Sequence, residues 1–364
     1  MKQTSPWINK KQRYPTLRKD ISCDVVIIGG GITGISCAFH LRKLGKKVAL
    51  LEKDVLASGL GGNATGSLTP GWDMDFFDMI RIHGTKKTKQ YLKLTRNGMK
   101  EIEQLIRKQN ISCNFIKNGS LALASTKEEL LTLYKDAKAR RKLGAPFKII
   151  RSQKLKNIIG TNAQAAIYDK HNATLIPSKL IVELAKKCSA QIYERTEVRN
   201  IQRDSRYIVT TPHAKIKARK VVIATQNSFY IKPKKRINIQ RVPVIATNLL
   251  SKRQLNSIAW NTAHCLWSFG REYYLLRLTP DNRLMMTGSN ENATAKQILN
   301  DLKKIFPQLT VRAEYYWDCQ MPYTQDDQPI IACSNSLGYS FAYAGHGLIA
   351  GYVAGKKIAR KFTS

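Results

Sequence analysis

The stretch DVVIIGGGITG, residues 24–34, decides the fold of this 364-residue chain. It begins with a β-branched apolar run typical of a buried parallel strand and continues directly into a glycine turn. The turn has the spacing G-x-G-x-x-G, in which Gly29 allows a tight bend, Gly31 lets the backbone approach a pyrophosphate, and Gly34 lets helix and strand pack closely. We therefore predict the start of a Rossmann-type dinucleotide-binding domain.

A helix and a second strand complete this motif. Apolar residues at helical spacing follow the turn and end at a glycine, and the apolar stretch KVALLE then closes on Glu52. The helix N-terminus, with Ile32 and Thr33, is expected to hold the phosphates. Glu52 is placed to accept hydrogen bonds from the adenosine ribose hydroxyls, with Lys53 beside it, and an acid at this position disfavours the 2′-phosphate of NADP.

The composition is that of a globular protein with an unusual charge. The chain is 43% hydrophobic and long enough for two hydrophobic cores, so we expect two domains. Its 61 lysines and arginines against 25 acidic residues give a formal net charge of +36. Such an excess can attract nucleic acid, anionic lipid or an acidic substrate, but scattered basic residues of this kind favour an ordinary solvated surface.

The cysteines and the apolar pattern favour a cytoplasmic protein. The seven cysteines are odd in number and contain no CxxC pair, so we expect neither a disulfide framework nor a zinc or other metal site. The first residues lack the apolar core of a signal peptide. No uninterrupted apolar stretch reaches the length of about 18 residues that a transmembrane helix needs.

The residues after the second strand carry a family resemblance. The stretch ASGLGGNATGSLTPGW, residues 57–72, is a Gly- and Ser-rich loop suited to close backbone approach to a cofactor. It resembles the SG-x-x-N-x-G loop of the D-amino-acid-oxidase-like (DAO) family of FAD-dependent oxidoreductases, near the glycine, sarcosine and γ-glutamylputrescine oxidases. In those enzymes the loop runs beneath the pyrophosphate toward the flavin ring. The resemblance implies FAD as cofactor, bound by Gly62, Asn63, Ala64 and Thr65.

Two later stretches extend the resemblance over nearly the whole chain. Thr196-Glu197-Val198 and KVVIATQ, which ends at residue 226, are similar to the strand in which a valine meets the adenine and to the turn that closes the FAD domain. This likeness places Val198, Ala224 and Thr225 near the cofactor. The C-terminal stretches 317–332 and 343–359 are similar to the last strand, glycine turn and final helix of the family.

The final glycine turn supplies the remaining predicted contacts to the flavin. Gly345, His346, Gly347 and Leu348 open the last helix, whose N–H groups and positive dipole end would face the pyrimidine edge of the flavin. They would stabilise the negative charge that builds up there on reduction. His346 is a candidate for proton transfer, and the alternative is an ordinary packed turn histidine.

The resemblance and the remaining pattern together predict an α/β protein with two interleaved domains. Residues 1–80, 146–230 and 318–364 are assigned to a Rossmann-type (GR2-like) FAD-binding domain, and residues 81–145 and 231–317 to an α+β substrate domain with a mixed or antiparallel sheet. The first of these substrate segments has helical apolar spacing, and the second contains several β-rich runs.

The substrate side of the site departs from the family. Met321 stands where glycine-oxidase-like enzymes have an arginine that pairs with the substrate carboxylate, and Ile349 stands where sarcosine-oxidase-like enzymes have a lysine. A buried substrate carboxylate would need another cation. Arg277 is the remaining candidate, and Tyr273 or Tyr274 could present a hydroxyl from the same strand. Alternation puts Tyr273 and Arg277 on one face and Tyr274 on the other; the alternative for Arg277 is a solvent-facing position.

Cys319 carries a separate hypothesis. It stands where sarcosine-oxidase-like enzymes attach their flavin through a cysteine thioether, so the resemblance implies a covalent link at this residue. Other relatives have glycine or alanine at this position. The alternative is that Cys319 is a small buried apolar residue.

These observations predict an FAD-dependent oxidase or dehydrogenase that oxidises a C–N bond of an amine or N-substituted amino acid. Hydride would pass from the substrate carbon to the flavin, the imine would hydrolyse, and oxygen or another acceptor would reoxidise the flavin. One alternative is an FAD enzyme that acts on the carboxymethylaminomethyl group of tRNA wobble uridines, for which the charge of +36 would serve. Another is a flavoprotein without activity.

Overall fold

The chain is organised around two large β-sheets. A computed structural model describes residues 1–226, 230, 231, 233, 235–260, 265–270 and 273–363. The strands in these residues are β1 (Ile21–Ile28), β2 (Val48–Leu51), β3 (Ser67–Leu68), β4 (Ser120–Ala124), β5 (Lys148–Arg151), β6 (Ala165–Asp169), β7 (Ala173–Thr174), β8 (Gln191–Tyr193), β9 (Asn200–Arg203), β10 (Tyr207–Thr210), β11 (Lys215–Ile223), β12 (Ile237–Thr247), β13 (Cys265–Ser268), β14 (Leu275–Leu278), β15 (Leu284–Thr287), β16 (Ala313–Thr324), β17 (Ile330–Cys333) and β18 (Leu337–Phe341). The helices are α1 (Ile32–Lys43), α2 (Leu60–Asn63), α3 (Phe76–Lys108), α4 (Lys127–Leu143), α5 (Ser152–Lys156), α6 (Pro177–Lys187), α7 (Lys252–Ser257), α8 (Ala295–Ile305) and α9 (Gly347–Lys361).

The first sheet has the Rossmann-type arrangement. Its strands follow the order β17-β18-β11-β1-β2-β8, and β10 and β9 extend from β11. β1 is parallel to both β2 and β11, and β2 is parallel to β8. The strand order reverses between β1 and β11, where open α/β sheets bind their ligands at the carboxyl ends of the strands. At this edge the Ala224 N–H donates to the carbonyl oxygen of Ile28 at 2.8 Å.

The sequence of β1 explains its central position. Val25 and Ile27 belong to the hydrophobic core formed with α1, α6 and α9, whereas Val26 and Ile28 belong to the core on the opposite face. Because both faces are covered, the strand is apolar without alternation.

Glycine residues allow α9 to pack directly on α1. A Cβ atom at Gly355 would lie 2.4 Å from the carbonyl oxygen of Thr33, and one at Gly351 would lie 2.7 Å from its Oγ1. The Ser36 hydroxyl donates to the carbonyl oxygen of Tyr352 at 2.7 Å. The first half of α1 is therefore held against the middle of α9.

The second sheet is mixed, as predicted for the substrate domain. It runs in the order β16-β12-β15-β14-β13-β4-β6-β5, with β13 and β4 parallel and the remaining neighbours antiparallel. Leu276 and Met286 on one face of this sheet pack in a core with Ile298 and Leu302 of α8.

The pairing of the strands differs from the predicted domain boundaries at two places. β5 and β6 lie within residues 146–230, but β6 pairs with β4 of the second sheet. β16 continues past residue 318 but pairs with β12 along its length. The strands with which they pair are distant in sequence. The local pattern of apolar residues therefore cannot predict which of the two sheets each strand joins. The domain division stays a proposal, with these strands placed in the substrate domain.

The predicted helical region after residue 80 contains a kinked helix. α3 is interrupted at Gly84, where φ is 74° and ψ is 158°. Beside this kink the ring of Trp72 stacks on His83 at 4.2 Å and on Tyr91 at 4.0 Å between ring centroids. In the part of the chain that the structure describes, no helix is both long and apolar enough to cross a membrane.

Candidate active site

A large cavity joins the edge of the first sheet where the strand order reverses, between β1 and β11, to one face of the second sheet. Its volume is about 940 Å³, at the upper end of the range of roughly 300–1,000 Å³ found for small-molecule sites. The lining includes most of the residues predicted to bind FAD, namely Gly29, Gly31, Ile32, Thr33, Glu52, Lys53, Gly62, Ala64, Thr65, Val198, Ala224, Thr225, Gly345, His346, Gly347 and Leu348. Gly34 and Asn63 lie outside the lining, and both shape the residues that form it.

The first glycine turn requires glycine for steric reasons. Gly29 has a φ of 109°, and a Cβ atom there would lie 2.7 Å from the carbonyl oxygen of Ala224. A Cβ at Gly34 would lie 2.0 Å from the carbonyl oxygen of Gly29. At Gly31, by contrast, a Cβ would meet no atom within 4 Å, so the space in front of this backbone is open to the cavity.

The N-terminus of α1 faces this open space. Gly31 is the N-cap residue, and no side chain caps the first N–H groups of the helix. The Oγ1 of Thr33 lies 2.8 Å from the hydroxyl of Tyr343, which ties the turn to the beginning of α9. Uncapped N–H groups at the positive end of a helix suit a pyrophosphate.

Glu52 closes β2 at the edge of the cavity. Its Oε2 accepts the N–H of Gly30 at 2.7 Å and its Oε1 accepts the N–H of Asp54 at 3.0 Å. Burial raises the pKa of this carboxyl above its ordinary value. A carboxylate has further acceptor positions, so Glu52 can still receive ribose hydroxyls from the cavity.

Asn63 holds the Gly- and Ser-rich loop in shape. Its Nδ2 donates to the carbonyl oxygens of Ser58 and Gly59 at 2.8 and 3.0 Å. Its own carbonyl oxygen accepts the indole N–H of Trp317 at 3.2 Å, which joins the loop to β16. The side chain is thus turned toward its own loop.

The turn before α9 stores backbone strain beside the cavity. Ala342, Ala344 and Gly345 all have positive φ, at 59°, 44° and 77°. A positive φ is uncommon for alanine, and residues held in this conformation cluster at functional sites. Nε2 of His346 lies 3.0 Å from the Oγ1 of Thr69, so this ring is fixed against the Gly- and Ser-rich loop.

The closing turn of the first sheet also lines the cavity. Val198 is buried, and its carbonyl oxygen accepts the hydroxyl of Tyr230 at 2.6 Å. Gln226, at the end of this turn, donates through its side chain to the carbonyl oxygen of Gln320. This contact joins the first sheet to β16.

Two of the predicted substrate-binding candidates do not line the cavity. Tyr274 packs against the core of the second sheet on the face opposite Tyr273. Arg277 shares the face of Tyr273, but it is 1% exposed, and its Nη1 donates to the carbonyl oxygens of Thr65 and Leu175 at 2.8 and 3.0 Å. Arg277 is therefore neither solvent-facing nor placed to meet a substrate. It supports the Gly- and Ser-rich loop through its hydrogen bond to Thr65.

Cys319 lines the cavity and is buried. Its Sγ lies 3.8 Å from the carbonyl oxygen of Asn63. Burial raises the pKa of the thiol to about 12, which disfavours the reactive thiolate.

The cavity also contains polar residues that the sequence did not suggest. Asp73 follows the Gly- and Ser-rich loop directly, so continuing that motif by one residue would have found it. Arg140 comes from α4 and is buried, with its Nε 2.6 Å from the Oδ2 of Asp136. Asp75 has a pKa raised to about 7 by burial and by the nearby charges of Asp136 and Asp78.

The residues present fit a dinucleotide. The open space at Gly31, the uncapped start of α1 and the carboxylate at the end of β2 match the needs of a pyrophosphate and a ribose. The cavity then continues into the second sheet, where Tyr273, Cys319 and Met321 line it. A dinucleotide site that opens into a second chamber is typical of enzymes that bring a bound dinucleotide to a small-molecule substrate.

Comparison with known proteins identifies the family. Residues 24–361 match the model of the DAO family, described as FAD dependent oxidoreductase. The chain belongs to this family, and its cofactor is FAD.

Individual relatives agree with this assignment. The chain is 25% identical over 370 residues to γ-glutamylputrescine oxidoreductase of Escherichia coli, an alignment that covers 96% of this chain and 86% of the relative. It is 29% identical over 212 residues to glycine oxidase of Geobacillus kaustophilus, covering 56% of this chain and 54% of the relative. The crystal structure of glycine oxidase from Bacillus cereus superposes with a TM-score of 0.77 at 19% identity, covering 94% and 95% of the two chains, and shows the same fold.

Proposed function

We propose that this protein oxidises a C–N bond of a small-molecule amine or N-substituted amino acid, with the imine product hydrolysed by water. Bound FAD supplies the hydride acceptor. The observation that carries the proposal is the continuity of one cavity from the glycine turn of the first sheet to the chamber on the second sheet. A substrate bound in that chamber would lie next to the bound cofactor within the same cavity.

The lining of the chamber favours a substrate with little dependence on a carboxylate beside the reacting carbon. Met321 and Ile349, which replace the family's cationic anchors, both line the cavity and are apolar. Of the arginines in the described lining, Arg140 is paired with Asp136, and Arg241 with Asp318 at 3.0 Å. An amine without a neighbouring carboxylate needs no such cation.

The relatives support the same reaction class. The E. coli relative is a γ-glutamylputrescine oxidoreductase by name, and the G. kaustophilus relative is a glycine oxidase. Both names describe oxidation of an amino compound, and the first describes a derivative of a diamine. Together with the apolar side chains of Met321 and Ile349, the first name favours an amine substrate over an α-amino acid.

The test is anaerobic mixing of the FAD-loaded protein with candidate amines while the visible flavin absorbance is followed. Bleaching by an amine supports the proposal, and a flavin that stays oxidised with every amine contradicts it and favours the flavoprotein without activity. Readmission of air then reports whether oxygen is an acceptor. The tRNA alternative predicts bleaching only by tRNA carrying the modified uridine, with binding that weakens steeply as salt is added.

A further inference from the structure

Asp73 occupies a particular place in the substrate chamber. Its Oδ2 accepts the hydroxyl of Tyr323 at 3.1 Å, and its carboxylate also interacts with the hydroxyl of Tyr273. A Cβ at Gly345 would lie 2.8 Å from the same Oδ2. The carboxylate therefore lies where the second sheet meets the glycine turn that opens α9.

The described partners of Asp73 do not compensate its charge. Both tyrosines are neutral donors, and burial together with Asp73 raises the pKa of Tyr323 far above its ordinary value. Among the described residues, no lysine, arginine or histidine forms an ion pair with Asp73. A half-buried carboxylate without a cationic partner is costly, and a cationic ligand would remove that cost.

The surroundings reinforce the negative potential. Asp327 is close enough to interact with both Tyr323 and Asp73, and burial and the charges of Asp326 and Asp73 raise its pKa. This negative potential is confined to the chamber, since the chain as a whole carries a formal charge of +36. Salt screens the positive surface over distances beyond about 8 Å. The carboxylates nearest the ligand therefore determine that a positively charged ligand is favoured in the chamber.

The chamber wall also suits the body of an organic cation. Tyr273, Tyr323 and Trp267 line the cavity with aromatic surface, and Met321 adds an apolar thioether. Tyr273 lies among these lining residues close to Asp73. Aromatic faces attract alkylammonium groups.

We propose that Asp73 is a specificity-determining residue that binds an ammonium group of the substrate. The substrate class is then an aliphatic diamine without a carboxylate on the reacting carbon. One nitrogen binds Asp73 as an ammonium group, and the other is neutral, so that hydride can leave from its neighbouring carbon. This inference rests on the proposed function of the chamber, but it concerns the binding of substrate, which can be measured apart from its oxidation.

The experiment is a titration of the anaerobic FAD-loaded protein with butane-1,4-diamine, followed by the shift of the flavin absorbance bands. Asp73→Asn keeps the shape and the acceptor for Tyr323 but removes the charge. We expect it to raise the apparent Kd by about tenfold or more, the usual effect of losing a charge-assisted hydrogen bond. Asp204→Asn, on the exposed turn between β9 and β10, is the matched control and should bind as the wild type does.

Two results would overturn the inference: Asp73→Asn binding the diamine as tightly as the wild type, or the wild type binding glycine more tightly than the diamine. If Asp73→Asn is recovered without flavin, Tyr323→Phe replaces it, since it removes the hydroxyl that positions the carboxylate. That variant should raise Kd by about two- to fivefold. An unchanged Kd in the double variant Tyr273→Phe/Tyr323→Phe, which removes both hydroxyls from the carboxylate, would contradict the role of Asp73.

Bleaching of the flavin in the same titration reports the proposed function separately. A shift that depends on Asp73 supports the inference even where no bleaching follows, and the absence of bleaching then counts against amine oxidation alone. Bleaching that is equally efficient in Asp73→Asn contradicts the inference and leaves amine oxidation in place.

Discussion

A Cβ atom at Gly34 would lie 2.0 Å from the carbonyl oxygen of Gly29. Because both partners are backbone, neither can move without opening the turn that faces the cofactor. We predict that Gly34→Ala lowers the free energy of unfolding by about 1–3 kcal/mol and removes most of the bound FAD. The measurement is the ratio of flavin to protein absorbance, together with a thermal unfolding curve.

Gly45→Ala is the control for this prediction. Gly45 also has a left-handed φ, of 74°, but a Cβ there would meet no atom within 4 Å. This variant should lose about 1–2 kcal/mol from its backbone conformation alone and keep its full flavin content. Full flavin content in Gly34→Ala would show that close packing at the turn is not required.

The buried pair of Asp136 and Arg140 predicts a large effect on stability. Asp136 accepts both the Nε of Arg140 at 2.6 Å and the N–H of Phe76 at 2.5 Å. Asp136→Ala leaves the arginine buried without this partner, and breaking such pairs costs about 3–5 kcal/mol. Chemical denaturation should show this loss, whereas Lys138→Ala, exposed on the same helix, should change stability by less than about 0.5 kcal/mol. Equal stability of the two variants would contradict the account of this pair.

Asp75 predicts a dependence of stability on pH. Burial and nearby carboxylates raise its pKa in the folded protein to about 7, whereas the unfolded chain has a value of about 4. The folded protein holds this proton over the interval between the two values, so the contribution of Asp75 to stability is complete below about pH 4 and is lost as pH rises through about 7.

Asp75→Asn should therefore gain stability relative to the wild type as pH rises from 5 to 8. A shift of this size corresponds to about 4 kcal/mol at most, and partial solvation reduces the expected gain to on the order of 1–2 kcal/mol. Thermal unfolding of both proteins at the two pH values measures it. A difference between the proteins that does not change with pH would show that Asp75 is ionised throughout.

Met321 predicts a change of substrate. It lies opposite Gln240 in the pairing of β12 with β16 and lines the chamber. Met321→Arg introduces a cation that can pair with the carboxylate of an α-amino acid, so we expect flavin reduction by N-methylglycine with KM at least about tenfold lower than in the wild type. Met321→Leu is the apolar control. No gain in Met321→Arg over this control would contradict the proposed role of the position.

Cys319 predicts the mode of flavin attachment. Because burial raises the pKa of its thiol to about 12, little thiolate is present to form a thioether. Acid precipitation should leave the flavin in the supernatant, and Cys319→Ser should retain FAD. Yellow colour that stays with the precipitated protein would instead support a covalent link at this residue.

The fold could be predicted because its deciding signals are local. The strand, the glycine turn and the start of the helix from Val25 to Gly34 are contiguous in sequence. The unbroken apolar run predicts a parallel strand covered on both faces, and the glycine spacing predicts the dinucleotide turn. The family resemblance then identified the cofactor as FAD. The sheet joined by β5 and β6 could not be predicted, because their partners are set by tertiary packing.

The substrate chamber was less accessible from sequence for the same reason. Strand alternation predicts that Arg277 and Tyr273 share one face, but the pattern does not show that the guanidinium donates to the carbonyl oxygen of Thr65 in the Gly- and Ser-rich loop. Arg140 belongs to an ordinary basic stretch of α4, and only the fold brings it to the cavity. Alternation along a strand predicts the face on which a side chain lies. Its burial depends on which other segment of the chain covers that face.

The most direct test of the account is anaerobic reduction of the bound flavin by butane-1,4-diamine compared with glycine. We predict that the diamine bleaches the visible flavin bands at lower concentration and faster than glycine does. Reduction by glycine alone, or an FAD-loaded protein that neither amine reduces, would contradict it.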